Sequence, residues 1–334
     1  MPALTRRAFT ATALSALAAP AYAQQLDKVS FGTNWVAEAE HGGFYQAVAD
    51  GTYKKYGLDV TIVPGGPQVN NRMLLLAGKI DFFMSANCLQ SFDAVSQNIP
   101  VIAVSAMFQK DPQVLLAHPG AAEKFADLKK LTIFVSSEGL QTYYKWMVAE
   151  FGFKESQTKP YTFNPQPFLV DKNSAMQGYV TSEPFAVEKA GVKPKIFLLA
   201  DQGFNTYSTL IEARRETVEK RPDLVQRFVD ASIIGWANYL YGDNKAANAL
   251  IKKRNPEMTD ELLAYSLAKM KEYGIVDSGD AKAHGIGAMT DARMNSFFDK
   301  MVRAGVVKPS VDPAKSYTLR FVNKKVGLDL RPKN

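Results

Sequence analysis

The stretch VSFGTNWVAEAEHGGFYQAVADGTYKKYGLDVTIV, residues 29–63, decides the fold. Residues 29–34 alternate apolar and polar as a strand does, and residues 43–56 place Phe44, Ala47 and Val48 at helical spacing. Gly57 stops that helix, and residues 58–63 form the next strand. Working outward, Pro64-Gly65-Gly66-Pro67 makes a turn, and residues 68–77 read as a helix closed by Gly78. A strand over 80–85, a helix over 87–96 and a continuously apolar strand over 99–107 follow. An unbroken apolar strand belongs to a sheet covered on both faces. Repeated strand–helix units of this kind predict a parallel, doubly wound layer.

The rhythm changes at residues 114–117, and a second series begins. Strands are expected over 131–136, 161–163, 175–179 and 196–199, with helices over 139–151 and 185–190. Extended crossing segments near 114–118 and 198–207 flank this unit. Beyond Ser208 the chain reads as helical: 221–241, 246–253, 260–273 and 291–304, broken at Asn255-Pro256 and Gly274. A small unit inserted between two halves of a larger one gives an α/β protein of two doubly wound lobes on a two-segment hinge. This is the clamshell of a periplasmic binding protein. The larger lobe is expected from residues 24–114 and 206–334, the smaller from 115–205 with the crossovers. In such a fold the ligand sits at the carboxyl ends of both sheets, and the crossovers bend.

The chain has 334 residues, of which 46% are hydrophobic and 22% charged, which excludes a disordered chain. No apolar run approaches the roughly 20 residues that span a bilayer. Cys88 stands alone, so no intramolecular disulfide or thiolate cluster can form, and His41, His118 and His284 show no metal-ligand spacing. There is no nucleophile elbow, P-loop or dinucleotide loop, and Gly285-Ile286-Gly287 lies among helices. No catalytic residue, metal or cofactor is therefore expected. The formal charge of +7 is scattered, with only short clusters such as Lys252-Lys253-Arg254, and offers no nucleic-acid stripe. The first 23 residues carry Arg6-Arg7, an apolar stretch over 8–19 and Ala21-Tyr22-Ala23. This order predicts a twin-arginine export signal, or an ordinary secretory one, cleaved after Ala23 to leave a periplasmic monomer.

Candidate ligand residues follow from the strand ends. Trp35 offers a flat face for stacking, and Asn34 can donate and accept along a ring edge. His41 begins a helix, where imidazole and free backbone N–H groups together suit a polar or anionic group, and the glycines after it permit close approach. Ser85 and Asn87 sit at the next helix start, where an N-cap explains one of them equally well. Phe108 ends the fourth strand. In the smaller lobe, Ser136, Ser137, Glu138 and Gly139 form either a nest of donors or a helix cap. Tyr143 and Tyr179 are further candidates. Glu183, between a strand end and a proline-started helix, would face the cleft and could accept two hydrogen bonds from an amino-heterocycle, or act only as a capping acid.

The stretches Asn34-Trp35, His41-Gly42-Gly43-Phe44-Tyr45, Tyr56-Gly57-Leu58-Asp59-Val60 and Ala77-Gly78-Lys79-Ile80-Asp81-Phe82 resemble the thiamine-pyrimidine-synthase-like family, as do Gly178-Tyr179-Val180-Thr181-Ser182-Glu183-Pro184 and residues 285–291. Its bacterial members are substrate-binding proteins of ABC importers, related to sulfonate-, nitrate- and taurine-binding proteins. The resemblance implies a type II periplasmic binding protein that hands a small ligand to permease and ATPase subunits. It also implies pyrimidine precursors of thiamine, of the formylaminopyrimidine or hydroxymethylpyrimidine type, held by Asn34, Trp35, His41 and Glu183. The fungal synthase of the same superfamily carries its lysine and donor histidine just after the G-K-hydrophobic-D motif. Ser85 and Leu89 fall there in this chain, which separates it from that chemistry.

Overall fold

The computed structural model describes residues 25–66 and 69–332; the expected export signal lies outside them. Ten strands form two five-stranded sheets. The first sheet holds β1 (Asp27–Gly32), β2 (Leu58–Val63), β3 (Phe82–Asn87), β4 (Val101–Phe108) and β10 (Ser208–Arg214), in the order β2-β1-β3-β10-β4. The second holds β5 (Gln113–Ala117), β6 (Thr132–Val135), β7 (Thr158–Pro160), β8 (Ser174–Tyr179) and β9 (Lys195–Leu198), in the order β7-β6-β8-β5-β9. Interleaved helices complete an α/β architecture of two lobes.

Neither sheet is purely parallel. β10 runs antiparallel to β3 and β4, and β5 runs antiparallel to β8 and β9. Each sheet thus takes, as its fourth strand, the one that enters from a crossing. Residues 114–117, expected near a crossing, lie inside β5, and the chain passes between lobes at 109–112 and 203–207. β10 was expected to be helical or irregular. Its Glu212 is fully buried and accepts from the Arg72 guanidinium at 2.7 and 2.8 Å and from Ser91 Oγ at 3.0 Å. The register also shifts between Ile211 and Glu212. A buried, paired charge and a bulge together disguise an interior strand as a polar segment.

Other departures are local. The helix expected over 43–56 is two, Gly42–Ala49 and Thr52–Lys55, parted where Gly51 takes φ 74°. That expected over 139–151 breaks at Thr142 into Ser137–Gln141 and Tyr143–Phe151. The strand expected over 161–163 lies earlier, at β7, and Phe163 instead turns out with φ 61°.

The helices Gly42–Ala49 and Pro222–Tyr241 pack backbone to backbone. A Cβ at Gly43 would stand 2.2 Å from the Trp236 ring, and one at Gly235 would stand 2.3 Å from the Gly43 carbonyl oxygen. The glycines after His41 therefore serve this helix crossing, not an approach to ligand.

Arg293 binds both crossings. Its guanidinium donates to the carbonyls of Gln109, Asn205 (3.3 Å) and Thr206 (3.2 Å), lies 4.1 Å over the Tyr207 ring and pairs with Asp280 at 3.6 Å. An exposed Lys110–Asp201 pair at 2.7 Å links the same segments. Removing the guanidinium leaves shielded carbonyls without donors, so Arg293→Ala should cost about 3 kcal/mol of unfolding free energy. Urea denaturation measures this; a loss under about 0.5 kcal/mol would show that the crossings hold without it.

Candidate functional site

The strand ends of both sheets open onto one cavity of about 300 Å³. The larger lobe contributes Asn34, Trp35 and Glu38 after β1, Ala86 and Asn87 at the end of β3, and Gln90. The first crossing adds Asp111 and the second Phe204. The remaining wall comes from the smaller lobe: Ser136, Glu138, Gly139, Thr142 and Tyr143 around the helix that follows β6, Phe163, and the β8 end with Gln177, Gly178, Tyr179, Ser182 and Glu183. Gln113, at the start of β5, completes it.

Contacts draw the lobes together around this space. The Trp35 and Phe163 rings face each other across the cleft at 5.7 Å. Thr181 donates to the Glu40 carboxylate, and its carbonyl accepts from Ser266 Oγ at 2.7 Å. Phe185 lies 5.2 Å from Tyr265, and Lys189 pairs with Glu261 at 2.6 Å.

Several donors hold the Glu183 carboxylate. Its Oε2 accepts from the Tyr179 N–H at 2.7 Å and from Ser182 Oγ at 2.6 Å, and the Tyr161 hydroxyl is a further partner. The carboxylate can fold back this way because residue 178 is glycine: a Cβ there would stand 2.6 Å from Glu183 Cβ. Burial raises Glu183 above the usual carboxylate range, against these hydrogen bonds. Glu38 is pushed up further by burial and by the charges of Glu40 and Glu183. Burial brings Asp111 up to about 6 although Gln113 and Asn87 donate to it. Four carboxyl groups, Glu38, Asp111, Glu138 and Glu183, line the cavity, with no lysine, arginine or histidine among the described lining residues. Asn34 also lines the cavity, and its Oδ1 is shielded from solvent without a hydrogen-bond partner.

Of the expected residues, the structure brings Asn34, Trp35, Asn87, Ser136, Glu138, Gly139, Tyr143, Tyr179 and Glu183 to this cavity. Two of these also cap helices: Asn87 Oδ1 accepts from the Leu89 N–H at 3.0 Å, and Ser136 Oγ from the Gly139 N–H at 3.1 Å. Four others stand away from it. His41 is fully buried, and desolvation lowers its imidazole to about 3. It is therefore neutral beside Glu38, 3.5 Å from it, and is unsuited to hold an anion. Ser85 is buried within β3, because that strand runs on to Asn87 and carries the opening past it. Phe108 packs edge-on against Trp236 at 5.2 Å in the lobe core. Ser137 is exposed and points outside the lining.

Reading the sequence missed Glu38, Asp111, Phe163 and Gln177. Asp111 had a signal in Asp111-Pro112 just past a strand. Phe163 and Gln177 had none, because a turned-out aromatic and an in-facing amide on a strand look ordinary in one sequence. Among the described residues, no group of three or more His, Cys, Asp or Glu is placed to hold a metal ion, and no helix is long and apolar enough to cross a membrane.

Comparison with known proteins agrees with the resemblance. The riboflavin-binding protein RibY of Chloroflexus aurantiacus is 22% identical over 323 residues, 93% of this chain and 91% of that protein. The 4-amino-5-hydroxymethyl-2-methylpyrimidine phosphate synthase of Aspergillus parasiticus is 29% identical over 105 residues, 31% of this chain and 30% of the synthase. In three dimensions the periplasmic aliphatic sulphonate binding protein SsuA of Escherichia coli superposes with a TM-score of 0.64 at 14% identity, over 87% of this chain and 91% of that one. That match identifies the fold. Residues 38–246 match the NMT1/THI5 like family, to which this chain belongs.

Proposed function

We propose that this protein is the periplasmic solute-binding component of an ABC importer, and that it captures a small planar nitrogen heterocycle such as a thiamine-precursor pyrimidine. One observation carries the reading: Trp35, the Glu183 carboxylate and Asn34 line one cavity with no lysine, arginine or histidine among its described lining residues. An aromatic face stacks a ring, and carboxylate and amide oxygens accept from ring amines. The formylaminopyrimidine or hydroxymethylpyrimidine type fits that description. The sulfonate, nitrate or taurine alternative fits poorly, because an anion would meet four carboxyl groups with no basic partner. RibY, similar along nearly the whole chain, supports a flavin-type ring as a second reading. The protein binds its ligand without transforming it, since Ser85 and Leu89 stand where the synthase reading requires lysine and histidine. Permease and ATPase subunits would receive the closed, loaded form.

Thermal unfolding tests the ligand class. Hydroxymethylpyrimidine or riboflavin at a hundred times its Kd should stabilise the protein by about 2.7 kcal/mol, while alkanesulfonates and nitrate leave it unchanged. The opposite ranking overturns the proposal.

Three substitutions separate the parts of the site. Trp35→Ala and Glu183→Gln should each weaken heterocycle binding roughly 10- to 100-fold in calorimetric titration, through lost stacking and a lost charge-assisted acceptor. Gly178→Ala should do the same by displacing Glu183. Unchanged affinity in all three would remove the ring from this place.

The acidity of the site can be read in stability. Burial holds Asp111 near 6 in the folded protein, above its unfolded value, so the folded state loses stability as pH rises toward and past 6. Asp111→Asn removes that loss. From pH 4.5 to pH 7.5 its unfolding free energy should move in its favour by about 1–3 kcal/mol relative to the parent; a constant difference in urea titrations contradicts the assignment.

A further inference from the structure

Part of the cavity lining carries a different pattern of hydrogen-bonding groups. Gln177, on β8, is 7% exposed. Its Oε1 accepts from the Ser136 backbone N–H at 2.6 Å and from the Tyr143 hydroxyl at 2.9 Å. A backbone N–H can only donate, so the amide orientation is fixed and Nε2 faces the cavity with its protons unused by the protein. Beside it stand two acceptors. Asp111, 3% exposed, accepts from the Gln113 N–H at 3.0 Å and from Asn87 Nδ2 at 3.2 Å, one bond per oxygen, which leaves lone pairs on both. The Glu138 carboxylate, on an exposed residue at the rim, has no hydrogen-bond donor among the described residues, and it lines the same space. Burial, and then the charges of Glu138 and Asp111, raise the Tyr143 phenol, whose hydroxyl donates to Gln177.

We propose that Gln177, Asp111 and Glu138 form a second recognition pole that takes a free hydroxyl group borne by the ring ligand. This deepens the heterocycle reading and rests on it. A hydroxyl donates one hydrogen bond and accepts others, so of a hydroxyl, an ammonium and a phosphate ester it is the one that satisfies both a carboxylate and the Gln177 amide. An ammonium group has no acceptor and leaves Nε2 without a partner. A phosphate ester has acceptors only and would be brought against Asp111 and Glu138, which like-charge repulsion opposes. A buried polar group left unmatched costs more than a good contact returns, and this makes the pole selective. Any phosphorylated form of the ligand must then be hydrolysed by a phosphatase-class reaction before capture.

Calorimetric titration of the full chain with 4-amino-2-methylpyrimidines that differ only at C5 tests this. The hydroxymethyl compound should bind at least 10-fold more tightly than the methyl compound, and its phosphate ester at least 100-fold more weakly than the alcohol. Lumiflavin and riboflavin provide the same comparison on a flavin ring. Gln177→Glu at pH 8 keeps an acceptor for Ser136 and Tyr143 while a carboxylate oxygen, with its charge, replaces the free donor; it should erase the preference for the alcohol. Equal affinity for methyl and hydroxymethyl compounds, or tighter binding of the aminomethyl compound, overturns the pole while the ring site stands. If neither ring binds in any form, the heterocycle reading fails and this inference falls with it.

Discussion

The chain crosses between its lobes twice, and a single guanidinium ties the two crossings. Arg293 donates to carbonyls on both segments and stacks on Tyr207, which begins the return to the first sheet. The segments it joins deliver β5 into one sheet and β10 into the other, each as an antiparallel fourth strand. Their register is set by the ladders to their neighbours, and the joined crossings keep the two sets of strand ends at a common opening. Fixed there, the lobes can rotate about a short axis while each sheet stays rigid, which is what hinge closure requires.

That geometry sets the electrostatics of the cleft. Glu38, Glu40 and Glu183 come near enough for each other's charge to matter, and burial raises all three. The protein counters this with donors drawn from both lobes: Thr181 to Glu40, and the Tyr179 N–H and Ser182 to Glu183. His41 supplies no relief, since desolvation keeps its imidazole neutral. Burial raises the Tyr179 phenol first, followed by the charges of Asp111, Glu138, Glu38 and Glu40. A cleft built this way is short of donors, and that shortage defines what should enter it.

The sequence carried much of this, unevenly. β2, with strict apolar–polar alternation over Leu58–Val63, was legible to the residue. β10 was hidden because Glu212 and its bulge break the apolar run, and only the distant Arg72 explains the charge. The same limit applies to the site. Trp35 and Glu183 follow strand ends, so local pattern placed them. Gln177 and Asp111 matter through partners 41 and 24 positions away in sequence, and spacing within one sequence does not reveal such pairs. His41 misled for a related reason. A histidine at a helix start suggests an anion site, yet the glycines behind it are fixed by Trp236 and Gly235, nearly two hundred residues away, and this packing buries the ring.

Closure itself follows from the unmet acceptors. On the proposed reading, closure would bring Trp35 to Phe163 and Glu40 to Thr181 and take water from Asp111 and the Glu183 carboxylate. Without a ligand these groups lose hydration and regain few bonds, which costs several kcal/mol and favours the open lobes. A ring that stacks on Trp35 and presents its own donors restores those bonds only when the lobes are shut. Its affinity for the two states therefore differs, and that difference alone can shift their populations. On the proposed function, the carboxyl-rich lining would serve both as recognition and as the brake that keeps the empty receptor from closing.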